Sequence, residues 1–299
     1  MMPPSPGDSG PGSGSPSRLL RSVAAQGRRV ARARRNPLQL RSDNWLSDAR
    51  CRFADRLGIY LGQRDLLTPP AGVFRDPDRM DGSHDLREFV TIGESTVAWL
   101  IEEGLEPDDN VLEIGCGIGR MAVPLLRHLD TGSYVGIEID PQKVEYCRAT
   151  VGKLAANFTF EHADVFNRYY NPEGRLRGRE YVFPFEPESF DFVFLISVFT
   201  HMLPADMEHY LAQIASVMAP GAVCISSFLL TPTPMGPPMH RVSDVCEILD
   251  LEEPEHGVIY LEQYIKERFA ESGLRIDRLF PRRGDPSTRP QDLVVASKV

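Results

Sequence analysis

Apolar positions along the last two-thirds of the chain follow two alternating rhythms. Residues 84–104 (HDLREFVTIGESTVAWLIEEG) repeat them at helical spacing, and Phe89, Ile92, Val97 and Leu100 define one stripe of an amphipathic helix. From Asn110 onward, short apolar runs alternate with amphipathic stretches, the pattern of a parallel sheet covered by helices. Strands are expected at 110–114, 133–138, 158–161, 190–196, 222–229, 274–280 and 292–298, with helices near 119–129, 141–155, 205–218 and 260–272. The last two strands are joined by a loop rather than by a helix. This pattern predicts a doubly wound α/β sheet with a crevice at the carboxyl edge of its strands. The stretch 231–258 (TPTPMGPPMHRVSDVCEILDLEEPEHGV) is too long and Pro-rich for a simple turn and is expected to be a lid or binding loop.

The first third has a different texture. Residues 1–17 are almost wholly Pro, Gly and Ser, too poor in apolar groups to offset the entropy of ordering. Residues 18–35 are rich in Arg, with a weak apolar stripe from Leu19, Leu20, Val23, Val30 and Ala31. The expected division is an arm over 1–41, an irregular cover with helical character over 42–84, and one α/β domain over 85–299. The arm reads first as a solvated basic segment, with contact to a membrane surface, binding to a polyanion, or targeting as the alternatives.

Charge follows the same boundary. Residues 1–50 carry nine Arg against three Asp, a balance of +6, which leaves −15 on the rest of a chain whose total is −9. An acidic body lacks the basic footprint of a nucleic-acid binder. The 42% hydrophobic content is ordinary for a globular protein, and no run approaches the length of a membrane-spanning helix. Five scattered cysteines (Cys51, Cys116, Cys147, Cys224 and Cys246) form no metal-spaced cluster. They read as reduced thiols of a cytoplasmic protein, and no metal is expected.

Candidate chemistry enters at VLEIGCGIGR, residues 111–120, where an apolar strand feeds a glycine-rich turn that opens a helix. Gly115, Gly117 and Gly119 let backbone approach a ligand closely. The G-x-G-x-x-G spacing of a dinucleotide site fails from Gly115, because residue 120 is Arg, while GIGRMA from Gly117 meets the looser form ending in Ala. Glu113 tips the balance. A carboxylate two residues before the turn does nothing for a pyrophosphate, whereas it suits a cationic ligand.

At this point the sequence resembles the class I S-adenosylmethionine-dependent methyltransferase family, whose first motif is an acidic residue followed by G-x-G-x-G. The resemblance covers roughly residues 85–299 and implies a seven-stranded, mostly parallel sheet with an antiparallel last strand. It implies S-adenosyl-L-methionine as cofactor, held by Glu113, Gly115, Cys116, Gly117 and Gly119 of the first motif. Glu138, 21 residues after Gly117, ends the second strand where the family binds both ribose hydroxyls, with Ile139 beside it. Asp140 competes for that role, although Pro141 after it fits a helix cap. Asp164 takes the place of the residue that meets the adenine amino group, with the Val165 N–H at a ring nitrogen. The segment 189–228 resembles the fourth strand, helix and fifth strand, so Ser197, Val198 and Phe199 are expected at the methionine end. Pro220-Gly221 stands where the family often has K-P-G-G, with Ala219 and Ala222 as departures.

His201 follows, the candidate general base, with a helix-start or packing role as the alternative. Tyr169, Tyr170, Asn171, Met235, Met239 and His240 are further candidates for an acceptor pocket. The implied activity is methyl transfer to a small-molecule or glycan-type acceptor. The rivals are an NAD(P)-dependent oxidoreductase, a non-catalytic methyltransferase-like interaction module, and an RNA methyltransferase using the basic arm.

Overall fold

The computed structural model describes residues 86–282 and 291–299. The expected arm over 1–41 and cover over 42–84 lie outside the described residues.

The first element, α1 (Leu86–Glu102), buries Phe89, Val97 and Leu100, while Ile92 is half-buried. Gly93 lies on the same face, where an added Cβ would stand 2.4 Å from the Arg120 carbonyl oxygen. The missing side chain thus lets the helix axis come close to the glycine-rich turn.

The sheet is built from β1 (Asn110–Ile114), β2 (Ser133–Glu138), β3 (Phe158–His162), β4 (Phe190–Leu195) and β5 (Met218–Thr231). All five are parallel, in the order β3-β2-β1-β4-β5. Beyond β5 lies β10 (Asp292–Lys298), antiparallel to it, and then β9 (Leu274–Phe280). The order therefore reverses between β1 and β4, and the carboxyl ends of those two strands open a crevice. Alternate residues feed two apolar layers. Leu112, Val193, Leu195, Cys224 and Val294 face one, and Val111, Phe192, Phe194, Ile225 and Val295 face the other.

The helical stretches are shorter than their periodicity implies. Residues 119–129 yield only α2 (Ala122–Leu125), since Pro124 has no N–H to give the Arg120 carbonyl. The stretch 141–155 divides into α3 (Pro141–Ala149) and α4 (Val151–Leu154). At the break, Thr150 leaves helical geometry and its hydroxyl donates to the Tyr146 carbonyl at 2.7 Å. The helix α5 (Pro204–Val217) runs between β4 and β5.

The expected loop 231–258 is a structured extension. Strand β5 continues to Thr231, where Leu229–Thr231 pair in parallel with β8 (Val258–Leu261). A hairpin of β6 (His240–Ser243) and β7 (Cys246–Ile248) joins β8 through β7. Buried Glu247 ties down the Pro-rich approach, accepting the Met235 N–H at 2.8 Å and the Gly236 N–H at 3.2 Å. Consequently α6 starts only at Glu262 and runs to Glu271. The three extra strands extend the seven-stranded core without changing its order.

Among the described residues, no helix is long and apolar enough to cross a membrane, and no group of three or more His, Cys, Asp or Glu side chains is placed to hold a metal ion. The four cysteines Cys116, Cys147, Cys224 and Cys246 are free and buried.

Candidate active site

The site begins where β1 ends. Gly115, Gly117 and Gly119 all have positive φ, at 77°, 57° and 81°, a region that a Cβ penalises. At Gly115 the space is also denied, because a Cβ would lie 2.6 Å from Cγ2 of Val198. The turn is fixed from below, with the Gly115 and Cys116 N–H groups both donating to the Ile137 carbonyl, at 2.8 and 3.0 Å. Cys116 and Cys147 lie under it, their thiols adjacent to one another, and burial beside Cys147 holds the Cys116 thiol well above its ordinary range. Cys116 is therefore not a ready nucleophile.

Glu138 ends β2 at the mouth of this turn and is nearly buried. One carboxylate oxygen accepts the Gly117 N–H at 2.8 Å, and the other accepts the Ile139 and Asp140 N–H groups at 2.7 and 2.9 Å. Three backbone donors thus fix a carboxylate between the first and second strands. Asp140 does the work of a helix cap instead, its Oδ1 accepting the Gln142 N–H at 2.8 Å ahead of Pro141.

Glu113 sits differently from a ligand-facing acid. It is 1% exposed, and its carboxylate accepts the Tyr134 hydroxyl at 2.5 Å inside the layer that the turn rests on. Burial next to that carboxylate pushes the Tyr134 hydroxyl well above the usual phenol range, so tyrosine remains the donor. Glu113 supports the turn from within.

Past β3, Asp164 forms an ion pair with Arg175, which also holds its carboxyl below the usual range. The Val165 N–H donates to the Ala163 carbonyl at 2.7 Å, so in this arrangement it is not turned toward a ligand. The segment then doubles back, with Asn167 and Asn171 exchanging backbone hydrogen bonds at 3.1 and 3.0 Å. This brings Tyr170 over the crevice, with Lys143 Nζ of α3 5.8 Å from its ring centre.

At the end of β4, Ser197 is held at φ 61°, an uncommon conformation for a side-chain-bearing residue and one found often at functional sites. Its N–H donates to the Ser227 hydroxyl at 2.7 Å, and its hydroxyl accepts Gln291 Nε2 at 2.8 Å. Phe199 turns the other way and is fully buried, its ring 5.0 Å from that of Phe228. A ligand would meet this turn through Ser197 and Val198 rather than through Phe199.

His201 lies inside the same turn. Nδ1 donates to the Glu255 carbonyl at 2.9 Å, and since a carbonyl only accepts, Nε2 is the acceptor face of the neutral ring. The Tyr170 hydroxyl stands 3.4 Å from that nitrogen. Burial lowers the His201 pKa, which keeps the ring neutral near pH 7. Ser227, Gln291, Lys143, Tyr134 and Arg175 carry no motif, and only the folded chain shows their contacts with the expected residues.

The glycine cradle and fixed Glu138 are compatible with an adenosyl ligand. A Cβ-free notch accepts close approach of a flat group, and of the about four lone-pair positions of a carboxylate the three backbone donors leave one on Glu138 for a donor such as a ribose hydroxyl.

Comparison with known proteins reaches the same region. Residues 111–221 match the model of a methyltransferase domain. The ribosomal protein L11 methyltransferase of Cupriavidus necator is 35% identical over 112 residues, which is 36% of this chain and 35% of that protein. That of Burkholderia pseudomallei is 27% identical over 154 residues, 48% of each. The chain thus spans between about a third and a half of the length of these curated relatives. Among solved structures, a candidate sarcosine dimethylglycine methyltransferase from Galdieria sulphuraria superposes with a TM-score of 0.52 at 17% identity, covering 72% of this chain and 88% of that one. An S-adenosylmethionine dependent methyltransferase from Mesorhizobium loti does so with 0.50 at 14% identity, covering 73% and 99%. At such identities the likeness is one of fold.

Proposed function

We propose that this chain, a member of the class I S-adenosylmethionine-dependent methyltransferase family through its residues 111–221, transfers a methyl group from S-adenosyl-L-methionine to a small-molecule or glycan-type acceptor. The observation that carries this reading is the Glu138 carboxylate, at the end of β2, fastened to the Gly117 N–H of the turn that follows β1, the strand beside which the order reverses. When bound, the cofactor supplies a methyl group on a cationic sulfonium, open to in-line displacement by an acceptor lone pair.

In this reading the chain's residues have separate tasks. Gly115, Gly117 and Gly119 admit the adenosyl group, and Glu138 accepts a ribose hydroxyl on its remaining lone pair, taking the second only if one backbone N–H gives way. Asp164 faces the adenine amino group, a role for which its pairing with Arg175 must loosen. Ser197 and Val198 border the methionine end. Glu113 acts through Tyr134 on the turn, so it is a positioning residue. Orientation alone supplies much of the rate in such a displacement, since fixing two reactants in line is worth on the order of 7–11 kcal/mol. His201, locked between Glu255 and Tyr170, positions both segments rather than meeting the acceptor itself.

A dinucleotide reading of the glycine turn is at odds with the match to a methyltransferase domain and with the antiparallel β10. A protein acceptor is the second reading, favoured by the L11 methyltransferase relatives, whose similarity here covers about a third of their length. Calorimetry decides the first question: saturable binding of S-adenosylhomocysteine with none of NAD(P) supports the proposal, and the reverse overturns it. Turnover of labelled S-adenosylmethionine against metabolite and protein fractions then separates the two acceptor classes.

A further inference from the structure

A recess of about 130 Å³ opens between the segment after β3 and the turn that precedes β8. Phe166, Tyr169, Leu203 and Pro254 form its apolar walls, and Arg168, Glu253, Glu255 and His256 its polar ones. The volume exceeds what one water needs. Its position ties it to the crevice. The carbonyl of Glu255 accepts His201 Nδ1, His201 lies four residues past Ser197, and Tyr170, next to Tyr169 in the wall, reaches His201 from the other side.

The recess holds two carboxylates, Glu253 and Glu255, against one guanidinium, Arg168, and Glu253 has His256 beside it at 3.6 Å. Arg168 is used by the turn itself, with one guanidinium nitrogen donating to the Glu252 carbonyl at 2.5 Å. The Glu255 carboxylate accepts the Arg168 backbone N–H at 3.2 Å, and among the described residues it forms no ion pair. Burial lifts its pKa, against the opposing pull of its bond to the Arg168 N–H and of the Arg168 and Arg177 charges. The faces of Phe166 and Tyr169 add electron-rich surface, which attracts cations. An anion would have to approach two carboxylates, and an alcohol could give Glu255 a hydrogen bond but no counter-charge.

We propose that this recess is the acceptor subsite and that it takes an amine, bound as its ammonium between Glu255 and the aromatic walls with an apolar stem against Leu203. This rests on the methyltransferase reading above. The ammonium gives one proton to the Glu255 carboxylate, and the freed nitrogen lone pair forms the N–C bond as the donor's S–C bond breaks, its electron pair staying on sulfur. The product is a methylated ammonium, and Glu255 returns its proton to solvent.

The test titrates pentylamine, pentanol and pentanoate into the full chain, with and without S-adenosylhomocysteine, following binding by nuclear magnetic resonance. Pentylamine is expected to bind at least tenfold more tightly than pentanol, and pentanoate not to saturate. Glu255→Gln should lower pentylamine affinity at least tenfold while S-adenosylhomocysteine affinity and the circular dichroism spectrum hold. Equal binding of the three probes, or no effect of Glu255→Gln in a folded protein, overturns the subsite and leaves the methyltransferase reading standing if S-adenosylhomocysteine binds. Amine preference without any S-adenosylhomocysteine binding overturns the acceptor role together with the methyltransferase reading.

Discussion

Two residues at the mouth of the crevice test the site most directly. Gly117→Val places a β-branched side chain at φ 57°, and Glu138→Ala removes the carboxylate that three backbone N–H groups hold. Each is expected to weaken S-adenosylhomocysteine binding by tenfold or more, about 1.4 kcal/mol or above, in a chain that still unfolds cooperatively. Unchanged affinity in both, measured by calorimetry, refutes the assignment. Tyr134→Phe acts one layer deeper. It withdraws the hydroxyl from a carboxylate inside the core, so chemical denaturation should show a loss of about 1–3 kcal/mol.

His201 gives a prediction with a sign. Its folded pKa lies below the unfolded value of about 6.5, so under acid the unfolded chain binds more protons than the folded one. The His201 contribution is therefore constant above that value and turns against folding as the pH drops from about 6.5 toward the lowered folded pKa. His201→Gln should flatten the fall in stability between pH 7 and pH 5. A variant with the wild-type slope would show that this ring does not titrate in that window.

At the scale of elements, the close approach of α1 to the glycine-rich turn gives a substitution whose sign opposes intrinsic preference. Gly to Ala inside a helix ordinarily stabilises by about 0.5–1 kcal/mol. At Gly93 the new methyl would lie 2.4 Å from the Arg120 carbonyl, so Gly93→Ala should instead cost about 1–3 kcal/mol and lower the melting temperature. A rise would mean that the helix can back away without penalty. Legibility in the sequence divided along the same line. The strands could be read from their apolar runs, and the place of Glu138 at the end of β2 with them, because each signal is local. The break at Thr150, the shortened α2 and the hairpin β6–β7 could not. They depend on a side-chain hydrogen bond to the backbone, a proline inside an otherwise helical pattern, and strands of three or four residues held by the buried Glu247.

For the molecule as a whole, order of motifs along the chain was enough to give the sheet, but not the ways in which distant segments meet at the crevice. Glu113 looked like a ligand-facing acid because its neighbours are glycines, and it is turned inward because Tyr134, on the adjacent strand, gives it a partner there. The contact of His201 with Glu255 spans 54 residues and left no trace in any motif. The same distance between sequence neighbours and spatial ones applies to the extension at residues 232–261. If Glu247 is what holds the Pro-rich approach, Glu247→Ala should expose the stretch 232–239 to limited proteolysis while the sheet stays intact. Equal resistance in the variant would place that restraint elsewhere.

Strand β5 belongs to two sheets at once. Its residues 223–228 run beside β10, its last three beside β8, and Ser227, in the part beside β10, fastens the strained Ser197. Tyr260 of β8 also donates to the Met202 carbonyl at 2.5 Å, one residue past His201. The outer hairpin and the Ser197 turn thus share one strand: β7 pairs with β8, β8 with the last three residues of β5, and Ser227 lies two residues before them.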